Sequence, residues 1–289
     1  KIELIALGEG GEELLRQRVA TPQGDYPATV QAVADLVTAA ESRVGADSTV
    51  ASVGIGIPGA ARIDGLIKNA NSTCLIGRPL RRDLEAALQR EVRLANDANC
   101  FALSEAIDGA GTGAQVVFGV ILGTGVGGGI VIDGKVRDGA NAIAGEWGHN
   151  PLAGEHHRET CYCGRKGCTE LYLSGPGLAR DHRRATGDIG GSVLSAESVA
   201  QGAAAGDADC EASLRRYEAR LARGLAQVIN ILDPDVIVLG GGLSNLDRLY
   251  ANVPRLWGAH VFSDQVMTRL LKHRHGDSSG VRGAAWLWP

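Results

Sequence analysis

Three thiols crowd into Cys161-Tyr162-Cys163-Gly164-Arg165-Lys166-Gly167-Cys168, the densest set of reactive side chains in the sequence. Thiolates at this spacing, with glycines permitting a sharp turn, suit the tetrahedral sulfur-rich coordination of zinc. A fourth ligand is then required. His149, in Gly145-Glu146-Trp147-Gly148-His149, is the favoured candidate, and His156 and His157 are nearer rivals. Redox thiols and ordinary buried cysteines are the other readings of the same spacing. Cys74, Cys100 and Cys210 stand alone and read as packing residues.

A second set is polar. Asn96, Asp97, Glu146, His149 and Glu170 could surround a polyhydroxylated ligand, because carboxylates and imidazole exchange hydrogen bonds with several hydroxyls at once. Asp97 could also take the proton of a hydroxyl attacking a phosphate. The competing reading is a set of helix caps and surface charges, and for Asp97 capping and catalysis are equally good explanations. A third candidate is Gly123-Thr124-Gly125-Val126-Gly127-Gly128-Gly129, a turn between two apolar strands whose amides could hold phosphate oxygens. It is neither a Walker loop nor a dinucleotide fingerprint opening a helix.

These residues need elements to position them. Residues 2–7 and 13–20 read as strands around a turn at Gly8 to Gly11. Helical spacing covers 29–43, and a buried strand over 50–57 ends at Pro58-Gly59, so a βαβ-like unit is expected. A helix over 80–91 leads to a short strand at 92–95 and a further helix at 98–106, which puts Asp97 at a strand end beside a helix N-terminus. Gly109 to Gly113 reads as a hinge, 116–122 and 130–132 as a hairpin, and 193–232 as mainly helical with one apolar stripe. A buried strand over 235–239 precedes Gly240-Gly241-Gly242, and a last helix within 277–288 is expected to pack back on the body.

Composition narrows the class. With 289 residues and 44% hydrophobic content, two domains are the working expectation. A net charge of −4 and short basic clusters disfavour a nucleic-acid scaffold or a polybasic membrane anchor. Glycine reaches 41 residues without a three-residue period, against an ordinary share of about 7%, which fits tight turns at a ligand site. Six cysteines are too few for a disulfide scaffold in so long a chain, which points to a reducing, cytoplasmic setting. No apolar run approaches the roughly 18 residues of a membrane span. The chain enters an alternating strand directly at Lys1, so a preceding strand and turn are expected.

Taken together, Cys161 to Glu170, Glu146 to His149, Asn96-Asp97 and Gly123-Thr124-Gly125 resemble the ROK family, a group of bacterial sugar kinases and transcriptional repressors. Residues 68–73, 96–100, 146–152 and 275–289 carry a closer likeness to its fructokinases, also described as manno(fructo)kinases. The resemblance implies an α/β actin-like ATPase (ribonuclease H-like) fold of two domains, 1–108 and 109–289, with ATP and sugar in the cleft between them. It implies Asp97 as catalytic base and Asn71, Asn96, Glu146, His149 and Glu170 as sugar contacts. Gly123, Thr124, Gly125, Gly240, Gly241 and Gly242 are implied at the phosphates. Of the family's opening Asp-x-Gly-Gly-Thr-Lys turn, which engages phosphate and Mg²⁺, only the final lysine is matched, by Lys1.

The resemblance also implies a structural zinc on His149, Cys161, Cys163 and Cys168, and a homodimer. The expected activity is ATP-dependent phosphorylation of the C6 hydroxyl of fructose, with mannose second. Glucose or N-acetylglucosamine kinase activity is the nearest enzymatic alternative, and a sugar-responsive regulator or a silent sugar-binding protein is the non-enzymatic one. Retention of Asp97 turns the expectation towards an enzyme.

Overall fold

A computed structural model describes residues 1–46, 51–155, 159–187, 194–276 and 279–288. The expected starts at Val50, Val193 and Asp277, and the rival ligands His156 and His157, lie outside the described residues.

Two alternating segments, β1 (Ile2–Leu7) and β2 (Glu13–Val19), pair antiparallel through a glycine turn. Helix α1 (Tyr26–Val44) opens where the Asp25 carboxylate accepts the Ala28 amide, and it stops at Gly45, whose φ of 68° the other residues reach only with strain. Strand β3 (Val53–Ile57), the small hairpin β4 (Ala60–Ala61) with β5 (Ile67–Lys68), helix α2 (Leu80–Leu88), strand β6 (Val92–Asn96) and helix α3 (Asp97–Ile107) follow. Helix α2 ends before the expected Glu91, because Gln89 turns left-handed with φ of 53°. The expected βαβ unit is shifted along the chain. Strand β2 pairs with β1, whereas β3 pairs in parallel with β6 across the α2 crossover, with Ile57 opposite Asn96.

The second half is built on a five-stranded sheet of β7 (Val116–Leu122), β8 (Val126–Ile132), β9 (Lys135–Val136), β10 (Val236–Gly240) and β11 (Arg269–Lys272), in the order β11-β10-β7-β8-β9. Strand β10 runs parallel to both neighbours, and β8 returns antiparallel to β7. Helices α4 (Glu170–Leu173), α5 (Gly175–Thr186), α6 (Ala196–Ala204), α7 (Ala208–Leu232) and α8 (Arg248–Trp257) surround it, and α9 (Ser279–Ala285) closes the chain. The segment read as mainly helical over 193–232 holds two helices, broken at Gly206 (φ 92°) and restarted by the Asp207 cap on the Cys210 amide.

The glycine run also differs from its reading as a turn. Gly127, Gly128 and Gly129 belong to β8, and only Gly123 to Gly125 connect the strands. The reason is steric. A Cβ on Gly129 would stand 2.6 Å from the Ala98 carbonyl oxygen, and one on Gly128 would meet Phe118 and Trp147 at 2.9 Å. Bare backbone on β8 thus lets the head of α3 lie directly on the sheet.

Apolar clusters hold these parts. Leu214, Tyr217, Leu221 and Leu225 of α7 pack on Phe118, Val120 and Leu122 of β7. Val37, Val53, Ile57, Leu84 and Val92 make a separate core in the first half. Phe101, Leu103 and Ala106 of α3 join Val117, Val131, Val236 and Val238 on the other face of the sheet. Helix α3 is buried on every side from Ala98 to Ala106 and also receives α9, where Gly283 faces the Cys100 carbonyl too closely for any side chain. The last helix packs on β3 as well, at Gly54 against Ala284.

One carboxylate secures this return. Glu105 of α3 is 0% exposed and accepts the amides of Ala110 and Arg274 at 2.9 and 3.0 Å and the Ser279 hydroxyl at 2.7 Å. It joins the end of α3 to the segment that leads from β11 into α9. Glu105→Ala strands these donors in a closed interior and is expected to cost about 3 kcal/mol of stability, whereas Glu105→Gln, with one oxygen retained, costs less. Urea unfolding checks this, and an unchanged midpoint in the alanine variant would refute it.

Candidate active site

Asp97 is the first residue of α3, at the carboxyl end of β6. The preceding residue takes the capping role that the sequence left open. Asn96 is the N-cap, its Oδ1 accepting the Ala98 amide at 2.9 Å and its Nδ2 donating to the Gly59 carbonyl at 2.9 Å. Asp97 Oδ1 shares the Ala98 amide at 2.8 Å, which leaves its second oxygen without a helix-capping duty. The carboxylate is reached from the cleft yet closely surrounded by protein, and burial holds its pKa above the ordinary carboxylate value, against the bonds from Ala98 and Asn96.

Glu146, immediately before the 3-10 turn Trp147–His149, is raised in the same way by burial. Its charge is felt by, and feels, His149, Asp97, Glu170 and Lys68, so one electrostatic neighbourhood contains most of the polar set picked from the sequence. Such a group of carboxylates around one cationic side chain can accept hydrogen bonds from several hydroxyls. Lys68 also bridges the two halves, with Nζ 2.8 Å from the Asn141 carbonyl oxygen.

The two glycine turns lie side by side. Strands β7 and β10 are parallel neighbours with Gly240 opposite Ile121, so Gly123 to Gly125 and Gly240 to Gly242 emerge at the same end of the sheet. Gly241 adopts φ of 79°, and a Cβ there would sit 2.6 Å from the Leu122 carbonyl. A Cβ on Gly125 would meet Glu170 Oε2, also at 2.6 Å, and that same oxygen accepts the Val126 amide at 3.0 Å. Glu170 thus clamps the first turn, a role its reading as a sugar contact did not include. Since α3 rests on β8, Asp97 and this turn are brought to one cleft.

The candidate metal centre is a knuckle. The Cys161 amide bonds the Arg165 carbonyl at 2.7 Å and the Gly164 amide bonds the Cys161 carbonyl at 2.9 Å, with Gly164 and Gly167 at φ of 83° and 73°. One ligand atom each from His149, Cys161, Cys163 and Cys168 lies within 4.8 Å of the others. Cys163 and Cys168 sulfurs are 3.6 Å apart, close to the roughly 3.8 Å edge of a tetrahedron with metal–sulfur bonds of about 2.3 Å. His149 Nδ1 faces Cys161 Sγ at 3.8 Å, while Nε2 is 3.1 Å from the Tyr162 hydroxyl. The donor set and its closeness fit zinc.

Among the sequence candidates, Asn71 is exposed beyond β5 and Lys1 is exposed just before β1. Residues not picked out from the sequence include Lys68, Tyr162, Asn99 and Gly59, the last with φ of 78° and no room for a Cβ against the Lys68 carbonyl. Glu155 was also missed. It anchors the strand of chain beyond His149 to α7, through Arg220 at 2.9 Å and Arg223 at 2.6 Å. An open cleft of about 420 Å³ lies at the opposite, amino end of β10 and β11, beside Asp235 and Arg269. The Asp235 carboxylate is already used by the Gln115 and Val116 amides, and ligands of α/β sheets gather at the carboxyl ends of the strands.

Comparison with known proteins places the chain among relatives of known family. The chain is 40% identical to the N-acetyl-D-glucosamine kinase of Yersinia pseudotuberculosis serotype IB (strain PB1/+), over 99% of this chain and 95% of that protein. Identity to the N-acetyl-D-glucosamine kinase of Vibrio cholerae serotype O1 is 41%, covering 99% and 96%. Of solved structures, the ROK hexokinase from Thermus thermophilus superposes with a TM-score of 0.85 at 28% identity, covering 99% of this chain and 97% of that one. A ROK family glucokinase from Streptomyces griseus, in complex with glucose and AMPPNP, gives 0.76 at 29% identity, covering 96% and 93%. The fold is accordingly the actin-like, two-domain α/β fold expected from the motifs. No helix among the described residues is long and apolar enough to cross a membrane. The ROK family pattern matches residues 1–289, and with relatives of this identity over this span the chain belongs to the ROK family.

Proposed function

We propose that the protein is an ATP-dependent hexose kinase whose preferred substrate is N-acetyl-D-glucosamine, phosphorylated on its C6 hydroxyl. The observation that carries the kinase reading is Asp97 at the head of α3, whose next residue, Ala98, lies on the bare backbone of β8 at Gly127 and Gly129, just beyond the Gly123–Gly125 turn. The choice of sugar rests on the relatives of 40 and 41% identity, which carry that substrate in their names. This replaces the fructose and mannose suggested by the sequence likeness, which drew on short stretches and not on a pocket.

When bound, ATP supplies the transferable γ-phosphoryl group and Mg²⁺ offsets charge on its oxygens. Asp97 accepts the C6 hydroxyl proton as the oxygen attacks. Asn96, Glu146, His149 and Glu170 orient the ring, with Asn71 at the margin. Amides of Gly123, Thr124 and Gly125 face the γ end, Gly240, Gly241 and Gly242 the remainder of the nucleotide, and Lys1 adds a positive charge. His149, Cys161, Cys163 and Cys168 would hold zinc, which would supply a structural tie on the imidazole that faces the sugar and no part of the transfer chemistry. A boundary at Gly109 to Gly113 would let the halves close and exclude water. The homodimer rests on family likeness alone, and light scattering over a concentration series tests it.

Turnover with N-acetylglucosamine, glucose, fructose and mannose under equal ATP is the deciding experiment. N-acetylglucosamine is expected to lead in kcat/KM by at least about 10-fold, the scale of a differently filled pocket. A lead by fructose or mannose would overturn the sugar assignment.

A further inference from the structure

A cavity of about 110 Å³ adjoins the polar cluster and shares Asn96 and Glu146 with it. Its remaining walls are mostly small and apolar. Ala60 and Ala61 come from β4, and Ala142 and Ala144 from the loop that leads to Glu146. Asn99, two residues beyond Asp97, and Asp138 contribute the further polar groups.

Asn99 is 6% exposed, and its hydrogen bonding is unfinished. Its Nδ2 donates to Asp138 Oδ1 at 3.3 Å. A carboxylate can only accept, so Asp138 fixes which way the amide is turned and leaves Oδ1 as the group to be satisfied. That oxygen is buried and has no hydrogen-bond partner among the described residues. Buried polar atoms in native proteins are overwhelmingly paired, so this lone acceptor, on a residue that lines the cavity, marks where a donor belongs.

We propose that this cavity receives the acetamido group of the hexosamine, with its N–H donating to Asn99 Oδ1 and its methyl group lying among the lining alanines. The proposal rests on the kinase reading above and assigns the residues that would set its preference for the 2-acetamido sugar. Size agrees with it. One water-sized group needs about 10–15 Å³ of such volume, so the four heavy atoms of an acetamido group fit with space left for an edge of the ring. A 2-hydroxyl alone could reach the Asn99 oxygen but would leave the alanine-lined part unfilled.

The test compares kcat/KM for N-acetylglucosamine and glucose in three proteins. In Ala144→Leu the ratio of the two is expected to fall at least about 30-fold, because the added methylenes occupy the methyl site. In Asn99→Leu, similar in volume but without the acceptor, it is expected to fall at least about 10-fold. Retained glucose turnover certifies that each variant is folded. Independently of any variant, the wild-type protein should lose at least about 10-fold between N-acetyl- and N-butyrylglucosamine. Unchanged ratios together with tolerance of the butyryl group would sink the pocket while leaving the kinase reading intact. A wild-type enzyme that turns over glucose but not N-acetylglucosamine would remove the sugar assignment and the pocket with it, and one that phosphorylates no hexose would remove the kinase reading as well.

Discussion

Asp97→Asn is expected to lower kcat at least about 100-fold while hexose affinity, measured by calorimetry, stays within about threefold of wild type. The substitution keeps the side chain's size and its bond to the Ala98 amide, and the helix start does not depend on it, because Asn96 is the cap. What it removes is the capacity to take the hydroxyl proton. Burial raises the Asp97 pKa, so in the wild type kcat/KM should fall as pH drops through a carboxyl pKa above the ordinary carboxylate value. Residual activity of the variant should lack that limb. The stability sign follows from the same shift. A carboxyl whose folded pKa is raised favours the native state below its unfolded pKa, and that contribution is lost as pH rises through the folded value. At neutral pH the variant should therefore melt no lower than wild type. Near wild-type turnover would sink the base assignment even with the kinase reading intact.

How far the sequence carried this site depended on whether neighbours in the chain are neighbours in the cleft. Asn96-Asp97 was legible because a strand end running into a helix places two adjacent polar residues at a sheet's carboxyl edge, and the knuckle was legible because three ligands fall within one short loop. Which of Asn96 and Asp97 caps the helix was not, since either side chain can accept the Ala98 amide and both do. The glycine run misled for a related reason. Glycine is the usual turn residue, but at Gly128 and Gly129 it serves close contact of a strand with α3 and with the Phe118 and Trp147 rings, which no local pattern records. Asn99 and Lys68 gain their meaning only from partners at Asp138, Asn141 and Glu146, brought in by the packing of one half on the other.

Removal of the metal should damage sugar recognition before it damages the rest of the protein. Freshly purified protein is expected to contain one zinc per chain by elemental analysis, and Cys163→Ala to contain none, with hexose affinity lowered at least about 30-fold. The argument runs through the loop. His149 holds Nδ1 towards the sulfurs and Nε2 towards Tyr162, and the Cys168 sulfur and the Thr169 amide both bond the chain at His149 and Asn150. Without a central ion, three thiols and an imidazole have only weak mutual bonds to keep this geometry, and Glu146 and Glu170, at the two ends of the same assembly, lose their fixed spacing. The core around α7 does not pass through the knuckle, so the variant should keep most of its helical signal and show a separate, lower melting step. Asp97 would still be present and correctly capped, so turnover should recover in part at high sugar concentration, a pattern opposite to that of Asp97→Asn. Metal-free wild-type protein with full sugar affinity would overturn the centre as a positioning device.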